Sequence, residues 1–127
     1  MDDPLALIHR SIGGDEPYYR LVDAFYAGVE GDAVLRPLYP EDLTGSKRHL
    51  ALFLIQRTGG HPTYSNERGH PRMRARHMPF PIGESERDQW LMCMNRALEE
   101  VVDNALTRVQ IARSFAQLAD FMRNKEG

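Results

Sequence analysis

The sequence predicts an all-α chain, and three observations lead to that expectation. Apolar residues recur at helical spacing in several separate stretches, none alternates with period two over a useful length, and glycine pairs or prolines fall between them. In chain order, residues 5–12 form a short apolar segment closed by Gly13-Gly14, a pair that ends helices and permits tight turns. Asp15 stands where it can cap the next helix, with Pro17 in the first turn. Tyr18, Val22, Phe25, Tyr26 and Val29 then fall at i, i+4, i+7, i+8 and i+11, a core-facing stripe. Pro37 and Pro40 limit the next stretch to a short helical turn and a corner carrying Tyr39. Thr44 suits the cap of a second long helix, which runs to Gly59-Gly60 with Ser46, Leu50, Phe53 and Leu54 inward.

Residues 61–70 show no apolar period and read as an ordered loop. Pro71 can open a short helix that ends near His77, because Pro79 comes within two residues. Beyond Phe80-Pro81-Ile82-Gly83, Trp90, Met94, Ala97, Leu98 and Val101 repeat the stripe of the first long helix. Ile111, Phe115, Leu118 and Met122 mark a last helix after a join near Asp103-Asn104, and residues 124–127 are expected to fray.

Composition bounds the function. A length of 127 residues suits one domain over residues 1–127, and a hydrophobic share of 42% fills one core. No run approaches the roughly 18 apolar residues of a membrane-spanning helix. Met1-Asp2-Asp3-Pro4 is acidic and a short apolar patch comes after it, which is not a leader pattern. A single cysteine, Cys93, suits a reducing compartment, so a cytoplasmic location is expected. A net charge of −2, from 16 basic and 18 acidic side chains, argues against nucleic acid as a partner. Locally, Arg68, Arg72, Arg74 and Arg76 crowd together with His70 and His77, which suits either a small anionic partner or a solvated face.

Three polar-tipped aromatics stand out. Tyr26 and Trp90 lie on apolar stripes and Tyr39 at the proline-bounded corner; a buried O–H or N–H left unpaired costs about 1–3 kcal/mol. Each can be satisfied by a backbone carbonyl, or the three can line one apolar pocket as convergent donors. His9 and His49 occupy polar helix positions and are expected to face solvent. His77 differs, with Met73 one turn before it and Met78 and Phe80 just after. An imidazole among apolar groups suits a ligand to a flat hydrophobic cofactor, although a lone histidine also serves structural ends. There is no Cys/His quartet, no HExxH run, no nucleophile elbow and no phosphate-cradling glycine loop.

Taken together, these segments resemble the second group of truncated haemoglobins. The run from Tyr64-Ser65-Asn66-Glu67-Arg68-Gly69-His70-Pro71 through Arg72-Met73-Arg74-Ala75-Arg76-His77-Met78-Pro79-Phe80 is similar to that group's proximal-histidine signature. Arg87-Asp88-Gln89-Trp90-Leu91-Met92-Cys93-Met94 resembles its distal tryptophan segment, and Phe25-Tyr26 and Leu38-Tyr39-Pro40-Glu41-Asp42 resemble its two distal tyrosine segments. The likeness covers almost the whole chain, with departures at Ile8 and at Arg57-Thr58, where relatives often carry an aromatic.

The resemblance implies a truncated globin, a two-on-two helical sandwich around a b-type haem. It makes His77 the proximal iron ligand and leaves the other face open for O2, CO, NO or cyanide. Tyr26, Tyr39 and Trp90 become the ligand-stabilising donors, and Phe25, Ser46, Leu50, Phe53 and Leu54 the distal wall. Ser46, being small, leaves the gate position open. Tyr64, Arg72, Met73, Arg76 and Phe80 become haem contacts, with arginines for the propionates. Such a pocket suits two roles: a gas-binding protein for O2, or a redox enzyme (NO dioxygenase or peroxidase-like) that needs an external reductase. Neither involves nucleic acid or a membrane.

Overall fold

The computed structural model describes residues 5–126; residues 1–4, read above as acidic and unlike a leader, and Gly127 of the expected tail lie outside the described residues. The described residues form seven α-helices: α1 (Ile8–Ile12), α2 (Glu16–Glu30), α3 (Thr44–Arg57), α4 (Thr63–Arg68), α5 (Met73–His77), α6 (Glu84–Val101) and α7 (Ala105–Phe121). A 3₁₀ turn at Arg36–Leu38 leads to the Tyr39 corner, and no strand occurs among the described residues. Helix α2 packs on α3 and α6, and α6 packs on α7, so two helix pairs meet through α2 and α6. No described helix is long and apolar enough to cross a membrane.

The stripes predict the core well where a helix buries one face. Tyr18, Val22, Phe25, Tyr26 and Val29 of α2 are all buried, as are Met94, Ala97 and Leu98 of α6 and Ile111 and Phe115 of α7. Burying side chains of this size contributes about 1.5–3 kcal/mol each. Helix α3 behaves differently. Its five consecutive residues Ala51, Leu52, Phe53, Leu54 and Ile55 are all buried, because α2 and α4 both pack against it. Ser46 and Leu50, expected inward, are half-buried.

Local signals shift by a residue or two. Gly13 closes α1 in the left-handed region (φ 102°), as a glycine pair should. Asp15 precedes α2 but does not cap it; its carboxylate accepts instead from His9 Nε2 at 2.6 Å, and the His9 ring stacks on Tyr18, so His9 is half-buried and not solvent-facing. Thr44 is the first residue of α3, and Asp42 Oδ1 supplies the capping acceptor for its N–H at 3.0 Å.

Residues 61–70 are corrected from loop to a loop enclosing α4. Six residues hold too few apolar positions to show a period, and the helix depends on tertiary partners. Gln56 Oε1 accepts from the Ser65 N–H and its Nε2 donates to Ser65 Oγ, while buried Tyr64 meets the Phe53 ring edge-on. Helix α5 starts two residues after Pro71, because Arg72 adopts a left-handed conformation (φ 46°). Asn124, expected to begin a frayed tail, is bonded through both backbone and side chain to residues 77–82.

Candidate functional site

Between α3, α5, α6 and α7 lies a cavity of about 520 Å³, inside the roughly 300–1,000 Å³ usual for small-molecule sites. Leu50, Phe53 and Leu54 of α3 and Phe115 and Leu118 of α7 give it apolar walls. Tyr26, Tyr39, Ser46, Tyr64, Met73, Arg76, His77, Phe80 and Trp90 also line it, so these sequence-predicted residues, scattered along the chain, share one space. Two do not reach it. Phe25 is fully buried behind the wall, one residue round α2 from Tyr26, and props the Tyr26 and Trp90 rings at 5.0 and 5.1 Å. Arg72 is exposed, its N–H donating to His70 Nδ1, because its left-handed backbone turns it away before α5 begins.

His77 ends α5, and its Nδ1 lies 2.6 Å from the Met73 carbonyl oxygen. A carbonyl only accepts, so Nδ1 carries the proton and donates. Nε2 is then the basic nitrogen, and it has no hydrogen-bond partner among the described residues. No set of three or more His, Cys, Asp or Glu side chains among the described residues converges to hold a bare metal ion. One oriented imidazole nitrogen at a mostly apolar cavity therefore fits a metal that brings its other donors with it, as in a porphyrin.

On the other polar patch, Tyr26 and Tyr39 pack edge-to-face at 5.4 Å, and Trp90 lies between Phe25 and Phe115, 5.6 Å from the latter. Tyr39 interacts with both Trp90 and Tyr26, and Tyr26 with Ser46 as well. Burial raises the Tyr39 phenol to about 12, against the opposing influence of Trp90 and Tyr26. Burial also raises Tyr26, with Tyr39 adding to the effect. Both phenols therefore remain protonated donors at neutral pH.

The cavity edge is cationic. Arg76 is held by Nε donating to the Pro71 carbonyl at 2.8 Å, and the Arg68 and Arg76 guanidinium groups lie 5.6 and 5.9 Å from the Tyr64 ring centre. Arg74 instead covers Phe121. His49, expected to face solvent, is a cavity residue. Burial holds its imidazole below the ordinary value, and Arg68, Arg48 and Arg76 reinforce that. Its spacing could have revealed it: 46, 49, 50 and 53 share one helical face. Phe115 and Leu118 of α7 and Met122 just after it were legible only as a core stripe, which does not distinguish packing on protein from lining a cavity, and Ala119 lay outside that stripe.

Known proteins match this arrangement over nearly the full chain. The bacterial-like globin family model matches residues 8–124. The group 2 truncated hemoglobin YjbI of Bacillus subtilis is 47% identical over 88 residues, 69% of this chain and 67% of that protein. Among solved structures, the hemoglobin of the thermophilic phototroph Chloroflexus aurantiacus superposes with a TM-score of 0.90 at 48% identity, covering 93% of this chain and 98% of that one. The group II truncated hemoglobin of Bacillus anthracis gives 0.92 at 36% identity, covering 94% and 98%. Shared sequence over the helices and a shared two-on-two arrangement lead to one conclusion: this chain belongs to the bacterial-like globin family, as a haem-binding truncated haemoglobin of the second group.

Proposed function

We propose that the chain holds iron protoporphyrin IX through His77 Nε2 and binds O2, and equally CO, NO or cyanide, reversibly on the remaining iron face. The observation that supports this most directly is the Met73–His77 hydrogen bond, which leaves one basic nitrogen at an apolar cavity. When bound, the haem supplies the iron that takes the diatomic ligand. The chain's own residues do the rest. Met73 fixes the tautomer and rotation of the ligating ring. Trp90, Tyr39 and Tyr26 offer N–H and O–H donors to negative charge that develops on the ligand. Phe53, Leu54, Phe115 and Leu118 keep water scarce around those donors, which strengthens each hydrogen bond. Arg68 and Arg76 present the cationic edge that suits the two propionates, and His49 lies beside them.

The direct test is haem reconstitution of the purified protein and of His77→Ala. The parent should take up stoichiometric haem, give the pyridine adduct spectrum of the b type and show a ferrous spectrum that shifts reversibly with O2. His77→Ala should retain little haem; full, native-like incorporation in that variant would refute the ligand assignment. Slow oxygen release together with rapid nitric oxide consumption in the presence of an added reductase would move the reading from reversible binding to redox turnover.

A further inference from the structure

We propose that Asn124 is a positioning residue for the proximal histidine, tying the end of α7 to the segment that carries the iron ligand. This inference rests on His77 being that ligand. Asn124 commits both ends of its side-chain amide and its backbone N–H to residues 77–82. Its Nδ2 donates to the His77 carbonyl at 3.2 Å and to the Phe80 carbonyl at 2.8 Å, and its Oδ1 accepts from the Ile82 N–H at 2.9 Å. The backbone N–H of Asn124 donates to the Ile82 carbonyl at 2.8 Å. The Phe80 carbonyl takes its donor from this amide, the His77 carbonyl takes a second one besides the Phe80 N–H at 3.0 Å, and the Ile82 N–H takes its acceptor, a set that suits a primary amide: aspartate lacks the donor, and an apolar residue lacks both.

The tie matters because α5 is only five residues long and ends at His77. A helix that short has little stability of its own, and two of the residues after it, Pro79 and Pro81, contribute no N–H to a helix or a turn. Phe80 and Ile82, the other anchored residues, line the same cavity as His77. The amide therefore clamps the ligand's backbone from one side while Met73 fixes its ring from the other. Lys125 also reaches back, pairing with Glu86 at 3.4 Å, but that ion pair touches no residue of α5.

The test compares reconstituted parent, Asn124→Asp, Asn124→Ala and the control Lys125→Ala. Two measurements are needed: the iron–histidine stretching band of the deoxygenated ferrous protein by resonance Raman, and the rate of haem transfer to an excess of a haem-free acceptor globin. For both Asn124 variants we expect the band to shift or broaden and haem loss to accelerate by roughly 10- to 100-fold, the range for groups that orient a metal ligand. Lys125→Ala should match the parent. An unmoved band in the two Asn124 variants overturns the proposal, even if their thermal stability falls, because a merely structural amide would lower stability alone. Failure of both variants to fold as apoprotein also overturns it, by assigning the amide to global folding. If the parent itself shows no iron–histidine band, it is the His77 assignment that fails, independently of Asn124.

Discussion

Trp90 contributes a donor that cannot reverse its role, since an indole N–H donates and never accepts. Its ring is wedged between Phe25 and Phe115, so Trp90→Phe should keep most of the packing and lose the N–H. Removing one such bond, about 1.4 kcal/mol, is roughly tenfold in rate. Oxygen dissociation by stopped flow should therefore quicken about tenfold, and an unchanged rate would mean the indole faces something other than the ligand. The tyrosines make a separate prediction about pH. Burial holds Tyr39 at about 12 and raises Tyr26 as well. Proton loss, which would remove a donor, is thus deferred past the value of about 10 at which an exposed tyrosine is half ionised. Oxygen release should stay flat from pH 7 to about 10, and acceleration centred there would show a phenol in contact with water. At this scale the sequence was informative where a residue type is costly to bury without purpose, as for Tyr26, Tyr39 and Trp90. Residue type alone was uninformative for His49, which is equally at home in water and at a cavity edge, and only its spacing with Ser46, Leu50 and Phe53 pointed to the cavity.

The helices differ in how far they stand on their own sequence. Helices α2, α6 and α7 each bury one face and each has a visible stripe. Helix α4 is held by Gln56, Phe53 and the Arg48–Glu67 ion pair, contacts that no local pattern contains. The end of α3 shows how a departure from a family's pattern is absorbed. Thr58 donates to the Leu54 carbonyl at 2.7 Å and accepts from the Tyr18 hydroxyl, and both side chains are buried. Gly59 comes next in the left-handed region (φ 101°) against the Ala6 carbonyl, where a Cβ has no room. Thr58→Val keeps the shape but leaves the Tyr18 hydroxyl without its acceptor, so urea denaturation should show a loss of about 1–3 kcal/mol. Adding Tyr18→Phe should recover much of that loss, because removing both partners costs less than stranding one. Two independent, additive losses would show that the pair is not coupled.

At the scale of the whole molecule, the cavity draws its lining from α2, α3, α5, α6 and α7, so a group held there bridges most of the fold. A ligand that binds the folded state alone stabilises it by about 2.7 kcal/mol when free ligand is a hundred times its Kd, which for a domain of this size is a rise in Tm on the order of 10 °C. Differential scanning calorimetry of apoprotein and haem-loaded protein should show that rise, and equal midpoints would mean that the group sits outside the core. By itself, the order of residues determined the helices that bury one face, the breaks at glycines and prolines between them, and the few polar side chains too costly to bury idly, because these depend on neighbours within about two turns. Only the tertiary structure decided that Phe25 supports the wall from behind, that Arg68 and His49 reach the cavity edge while Arg72 does not, that α4 is helical, and that Asn124 closes onto the residues after His77. Apart from the local turn at Arg72, these depend on groups that meet across the chain, and a one-dimensional pattern holds no record of which distant surfaces will be brought together.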